Sequence, residues 1–357
     1  MIFRQLFEPI SCTYTYLLGG RPGGEALIID PVLEKADHYL RLLDEMDLTL
    51  VKAIDTHVHA DHTTALGVLR DNTHCVTVMG RQSGVDQVSM RVEDGDRIEI
   101  ENITLNVMYT PGHTDDSYSF AMADRVFTGD TLLIRGTGRT DFQHGDNAAA
   151  YDSLFNKLLK LPDDTLVYPG HDYKGDTVST IGEEKAFNPR LQVKSAREYA
   201  DIMDNLNLPD PKQMDVVVPA NLAIGASAKT TPEVKAATLA AADAIDAVRQ
   251  AGKEGVLLVD LREETERRRD GIIPGSVHLP YQALGDNIKP GGLLAAMAVN
   301  PDQEILLYCA FGERSALGLG EMFDAGLTNA RHIEGGIDAW VKAGGPVEKP
   351  SKPPAQG

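Results

Sequence analysis

The sequence predicts an α/β protein of two domains, with strands that run parallel. Three observations carry this. At about 100–200 residues per domain, a chain of 357 residues has the length of two. Short apolar runs that end in turn residues alternate with segments of helical apolar spacing, the strand–loop–helix order of parallel sheets. A small, polar segment poor in large apolar residues, NLAIGASAKTTP (221–232), separates two such series and reads as a linker. We place the domains at 1–228 and 229–347, followed by a Pro/Lys-rich tail, 348–357, expected to be disordered.

The elements follow in order. ALIIDP (26–31) is apolar on every position until Asp-Pro, as a buried strand ending in a turn is. LEKADHYLRLLDEM (33–46) has the three-and-four spacing of a helix with one apolar face. VKAIDT (51–56), CVTVM (75–79), ITLNVMY (103–109) and RVFTGD (125–130) are strand-like, and TTALGVLR opens a helix after the first of them. Helical spacing returns at 149–161 and 196–206. Beyond the linker, an Ala-rich helix (233–251) precedes a strand, GVLLVDLR (255–262). A further strand, EILLYC (304–309), runs into a Gly-containing loop and then a helix.

Composition excludes some partners. With 34 Lys+Arg against 53 Asp+Glu the net charge is -19. Nucleic acid and anionic membranes need a basic surface, so neither is expected. No stretch approaches the roughly 18–20 apolar residues of a membrane span, and the first residues lack the unbroken apolar core of a secretion signal. Cys12, Cys75 and Cys309 are too dispersed for a disulfide framework and fit free thiols in a reducing cytoplasm. Cys12 and Cys75, in strand-like apolar runs, read as packing residues. The run 267–269, flanked by acidic residues, reads as a solvated helix face. A homo-oligomer is compatible with all of this.

Chemistry concentrates at strand ends. His57-Val58-His59-Ala60-Asp61-His62 follows the strand 51–56 and offers four donors in six residues, with His57 and His59 alternating to one side. Pro111-Gly112-His113-Thr114, Thr128-Gly129-Asp130 and Tyr168-Pro169-Gly170-His171-Asp172 each place a His or Asp after a strand beside Gly or Pro. Loops at one edge of a sheet converge there, so these residues point to a metal centre.

The order His-x-His-x-Asp-His, then a strand-end His, Asp and His, resembles the metallo-β-lactamase superfamily, which implies an αββα sandwich with metal between two sheets. The flanks FTGDTLLIRGTGRTDFQHGD (127–146), YPGHDYKG (168–175), NPR (188–190) and NLNLPDPKQMDVVVPAN (205–221) resemble the persulfide dioxygenases within it. The resemblance implies one Fe(II) per chain on His57, His113 and Asp130, two histidines and a carboxylate that leave positions for O2 chemistry. It makes His59, Asp61, His62 and His171 a retained second set that orients the ligand rings. Arg139, Tyr173 and Arg190, in the matching segments, are candidates to bind glutathione carboxylates. The ligand list alone suits Fe(II) and Zn(II) alike, and the preference for iron comes from the flanks.

Cys309-Ala310-Phe311-Gly312-Glu313-Arg314-Ser315 lies between a strand end and a helix start. Backbone N–H groups, the helix dipole and Arg314 would there favour thiolate over thiol. Together with LLVDLRE (257–263), GIIPGSVHLP (271–280) and EGGIDAW (334–340), the loop resembles a rhodanese domain. The resemblance makes Cys309 the sulfur-carrying nucleophile, with Arg314 at its loop and Asp260 and Arg262 as braces. Glu313 puts a carboxylate where an anionic donor such as thiosulfate would be repelled.

The expectation is a persulfide dioxygenase fused to a rhodanese. The first would convert glutathione persulfide, O2 and water to glutathione and sulfite. The second would move sulfane sulfur between thiosulfate or sulfite and glutathione through a Cys309 persulfide. The alternative is a dinuclear zinc thioester hydrolase of glyoxalase II type with an appended sulfur-binding rhodanese module.

Overall fold

The computed structural model describes residues 1–85, 87–206, 208, 214–224, 231–297 and 304–350, and it divides into two compact units, Met1–Ser227 and Ala228–Gly357. In the first unit, strands β1 (Ile2–Glu8), β2 (Thr13–Gly19), β3 (Glu25–Ile29), β4 (Thr49–Ile54), β5 (Val76–Gly80) and β6 (Met90–Val92) form one sheet in that order. A second sheet has the order β12 (Ser179–Thr180), β11 (Leu166–Pro169), β10 (Arg125–Gly129), β9 (Tyr118–Ala121), β8 (Ile103–Tyr109), β7 (Arg97–Ile100).

Both sheets are mixed, and the all-parallel sheet belongs to the second unit. From β3 to β6 the pairs are parallel, where the helical segments Ala36–Glu45 and Leu66–Thr73 cross over. β1–β2–β3 and β7–β8–β9–β10 pair antiparallel, because short turns join neighbours directly. β4 is buried on both faces after its first residue, whereas β8 alternates buried and exposed. An apolar layer of Leu18, Ile29, Ile54 and Val78 from one sheet and Leu105, Val107, Phe120 and Phe127 from the other fills the space between them. The outer faces are covered by helices: Tyr39, Leu43, Leu66 and Leu69 on the first sheet, Leu154, Leu158, Tyr199 and Met203 on the second. This is an αββα sandwich.

The second unit has a sheet ordered β13 (Thr238–Leu239), β17 (Ala330–Ile333), β16 (Glu304–Tyr308), β14 (Val256–Asp260), β15 (Val277–His278), parallel throughout. Apolar clusters pack both faces, as a parallel sheet requires. The Ala-rich segment is not one helix. It breaks into Pro232–Ala236 and Ala241–Gly255, because Thr238 and Leu239 pair with His332 and Ile333.

Other expectations are corrected at their ends. Of the linker 221–232, residues 225–230 lie outside the described residues; Asn221 and Ile224 are buried, and Thr231 caps the helix at Pro232. Residues 351–357 of the tail also lie outside them, while Glu348 is bridged to Ile272 by two backbone hydrogen bonds. Cys75 is buried in the core as expected, but Cys12 sits in the β1–β2 turn with a left-handed φ of 62°. In the 267–269 run, Arg267 is buried against Asp260 and Glu264, and only Arg268 and Arg269 are solvated.

Candidate functional site

The strand ends of the first unit bring the donors together. The chain leaves β4 at Ile54 and reaches His57 three residues on; His113 follows β8, Asp130 follows β10 and His171 follows β11. One donor atom from each of His57, His113 and Asp130 lies within 4.8 Å of the others. The rings of His57 and His113 stand edge to face with centroids 5.0 Å apart. His113 Nε2 is 3.6 Å from Asp130 Oδ2.

Hydrogen bonds assign the free nitrogen of each ring. Thr56 Oγ1 donates to Asp30 Oδ2 at 3.1 Å, so it accepts from His57 Nδ1 at 2.9 Å. His113 Nδ1 donates to the Arg139 carbonyl at 2.7 Å. Each ring therefore presents its Nε2 lone pair to the cluster. Burial, reinforced by His59 and His113, pushes His57 well below the usual imidazole range, so the ring is neutral. Burial alone would raise Asp130, yet His171, His113 and His57 hold its carboxylate ionised.

A second set stands beside the first. His59, Asp61 and His62 also offer donors within 4.8 Å of one another. His171 bridges the two sets: Nδ1 is 2.7 Å from Asp130 Oδ1 and Nε2 is 2.8 Å from Asp61 Oδ2. Against the cost of burial, these carboxylates raise His171 well above the imidazole range. Thr13 Oγ1 touches the same set, 3.0 Å from His171 Nε2 and 3.3 Å from His62 Nδ1. Asp30 bonds His59 Nε2 at 3.2 Å and, against burial, raises that ring to about 9. His59 Nδ1 and His62 Nε2 are buried and have no hydrogen-bond partner. Two neutral or neutralisable rings, a carboxylate and orphaned ring nitrogens suit a divalent transition metal.

The histidine loop is held by its backbone as well. Asp116 accepts from Val58 N–H at 2.9 Å. Asn221 donates to the carbonyls of His59 and His62 and accepts from Thr64 N–H, each at 2.9 Å.

A cleft of about 270 Å³ opens on the centre, and Arg139, Tyr173 and Arg190 all line it. Both guanidinium groups are engaged. Arg139 is bidentate on Asp141, at 2.5 and 2.7 Å, and stacks over Phe142 at 5.0 Å. Arg190 donates to the carbonyl and hydroxyl of Thr137. Tyr173 stands on the rim, 70% exposed, with its ring parallel to His171.

In the second unit Cys309 lies directly after β16, 1% exposed. Its Sγ accepts from Gly312 N–H at 3.1 Å and faces Ser315 Oγ at 3.7 Å. The helix Glu313–Asp324 begins at that loop. Gly336 backs it from the other side: with φ 59° and a Cβ position only 2.4 Å from the Cys309 carbonyl, it admits no side chain. Ile337 and Asp338 N–H groups then bond the Cys309 and Ala310 carbonyls. Arg314 feels the charge of Cys309. It is fully buried in a two-bond ion pair with Glu266, at 2.7 and 2.8 Å. Arg314 holds the Glu266 carboxyl below its usual range, although burial would raise it. Asp260 and Arg262 form a second buried pair at 2.8–2.9 Å, and Tyr308 donates to Asp260.

Sequence reasoning missed Asp30, Thr56, Asp116, Asn221 and Glu266, which act through hydrogen bonds to ligands, loop backbone or Arg314. Only Thr56 and Asp30 carried a signal, their places at the ends of the strands 51–56 and 26–31.

Comparison with known proteins agrees with this geometry. Residues 13–171 match the model of the metallo-beta-lactamase superfamily, and 243–343 match that of the rhodanese-like domain. The chain is similar to the mitochondrial persulfide dioxygenase ETHE1 of Homo sapiens, 48% identical over 233 residues, 64% of this chain and 91% of that protein. The Mus musculus protein is 49% identical over 228 residues, 63% of this chain and 89% of that protein. Among solved structures, ETHE1 from Myxococcus xanthus has a TM-score of 0.62 at 54% identity, covering 63% of this chain and all 100% of that one. A metallo-beta-lactamase from Staphylococcus aureus subsp. aureus COL has a TM-score of 0.60 at 23% identity over 94% of this chain and 98% of its own, which shows a shared fold.

Proposed function

We propose, from the premise that this chain belongs to the persulfide dioxygenase family of the metallo-β-lactamase superfamily and continues into a rhodanese-like domain, that its first unit oxidises glutathione persulfide with O2 and water to glutathione and sulfite. The premise makes the chain an enzyme of sulfur metabolism; the reactions are our reading. The observation that carries it is the two-histidine, one-carboxylate cluster of His57, His113 and Asp130, of which His113 and Asp130 line a cleft that Arg139 and Arg190 also line. Those three residues would hold a single ferrous ion, which would supply the O2 activation that oxidation of the persulfide needs. The chain's own groups do the rest. Thr56 and the Arg139 carbonyl fix the rings, and His171 fixes the Asp130 carboxylate. Arg139, Arg190 and Tyr173 receive the anionic glutathione portion at the cleft.

In the second unit Cys309 carries the sulfur as a persulfide, received by the Gly312 N–H, and exchanges it among glutathione, sulfite and thiosulfate. Arg314, paired with Glu266, holds the loop's shape. Three free cysteines fit a reducing compartment, for which we take the cytoplasm. Among the described residues no helix is long and apolar enough to cross a membrane.

One observation favours a second reading. The partnerless His59 Nδ1 and His62 Nε2 suit a second ion, as in a dinuclear zinc thioester hydrolase. Oxygen uptake on glutathione persulfide, with metal quantification, separates the two. We expect one iron per chain and O2 consumption with release of sulfite. Two zinc per chain without O2 uptake would overturn the dioxygenase reading.

A further inference from the structure

Behind Cys309 runs a hydrogen-bond chain whose direction follows from counting protons. Thr238 Oγ1 donates its only proton to the Val234 carbonyl at 2.8 Å. It therefore meets His332 Nε2, 2.9 Å away, as an acceptor, and Nε2 carries the ring proton. His332 is 4% exposed, and burial pushes it down to about 4, so the ring is neutral near neutral pH. Its Nδ1 then has a lone pair 3.2 Å from Ser315 Oγ, and only the Ser315 hydroxyl can donate across that gap. Ser315 Oγ in turn has two other acceptors for its one proton, the Gly312 carbonyl at 3.1 Å and Cys309 Sγ at 3.7 Å.

The charged groups around this chain are few. Arg314, on the helix Glu313–Asp324, feels the charges of Cys309 and of its neighbour Glu313, and Glu266 answers it from Glu264–Asp270. On β17, Arg331 pairs with Glu304, and strand alternation puts it on the face opposite His332. The proton of Ser315 is thus the adjustable element beside the sulfur.

We propose that His332 is a positioning residue for sulfur transfer: by drawing the hydroxyl proton of Ser315 to Nδ1, it withholds that proton from Cys309 Sγ and limits how far the thiolate is stabilised. This rests on the reading of Cys309 as the sulfur carrier. The Gly312 N–H already donates to Sγ, and a helix starts at that loop. A thiol made too acidic is a weaker nucleophile, and the best attacking thiol titrates near ambient pH. His332 is the counterweight.

The test is alkylation of Cys309 by iodoacetamide in the full-length protein, read on its peptide by mass spectrometry along a pH series. His332→Leu should raise the rate near pH 7 by about fivefold, on the order of one net hydrogen bond, and move the profile to lower pH. His332→Asn, whose amide oxygen stands near the place of Nδ1, should keep the wild-type rate and profile. Thr238→Val releases Nε2, lets the ring proton move to Nδ1, and should shift the profile as His332→Leu does; it keeps the test open if His332→Leu does not fold. An unchanged or slower rate in His332→Leu or Thr238→Val, or an Asn variant that behaves like Leu, overturns the proposal. Alkylation reads the thiol whether or not sulfur is transferred. Shifts as expected in a chain that transfers no sulfur would overturn the role of Cys309 and leave the hydrogen-bond chain standing.

Discussion

A Cβ built on Gly170 would come within 2.7 Å of Asp130 Oδ1, the oxygen that His171 holds. The strand end β11 can approach the carboxylate only because this residue has no side chain. Gly170→Ala should therefore lower metal content while the fold persists; equal metal content and equal melting temperature would count against the cluster of His57, His113 and Asp130 as the centre. At this scale the site was largely legible. His57, His113, Asp130 and Cys309 are reactive types at strand ends, a position that spacing alone reveals. Asp116 and Glu266 were not, since an acidic residue in an acidic chain carries no mark of the partner that the fold brings to it. Arg314 shows the converse: the sequence places a cation next to a cysteine, and the structure spends that charge on a carboxylate 48 residues away.

The helices Glu264–Asp270 and Glu313–Asp324 are tied by that Arg314–Glu266 pair, both side chains at most 1% exposed. Removing one partner leaves a buried charge alone, so Glu266→Ala should cost about 3–5 kcal/mol in denaturant unfolding. The strand β17 carries a pH dependence. His332 is depressed from 6.5 to about 4 in the folded chain. Its contribution is thus complete above pH 6.5 and is lost as pH falls toward 4, by up to roughly 3 kcal/mol. Unfolding followed at a series of pH values should show this slope in the wild type and a flatter one in His332→Asn. Elements were legible where burial imposes an unbroken apolar run, as in β4, or a period, as in β8. Hairpin partners were not, because an antiparallel β2 and a parallel β5 read alike as apolar runs. The two-residue strand Thr238–Leu239 is too short for any period and so vanished into an Ala-rich helix.

Over the whole molecule, a net charge of -19 sets a repulsive far field for anionic thiols and sulfur oxyanions. On the proposed function, their capture would fall to local cations such as Arg139 and Arg190, which line the cleft. If the two units share sulfur, Cys309→Ser should leave O2 uptake on glutathione persulfide intact and abolish the formation of thiosulfate from sulfite, so that sulfite accumulates. Product analysis checks this, and thiosulfate formed at the wild-type rate would sever the units functionally. The division into two units was legible from length and composition. The role of Asn221 was not, for it lay in what read as a linker. Asn221 bonds the carbonyls of His59 and His62, which precede it by 162 and 159 residues. Translation delivers those histidines long before their clamp. A nascent chain stopped short of Asn221 would hold every candidate ligand and still lack the two hydrogen bonds that clamp their loop.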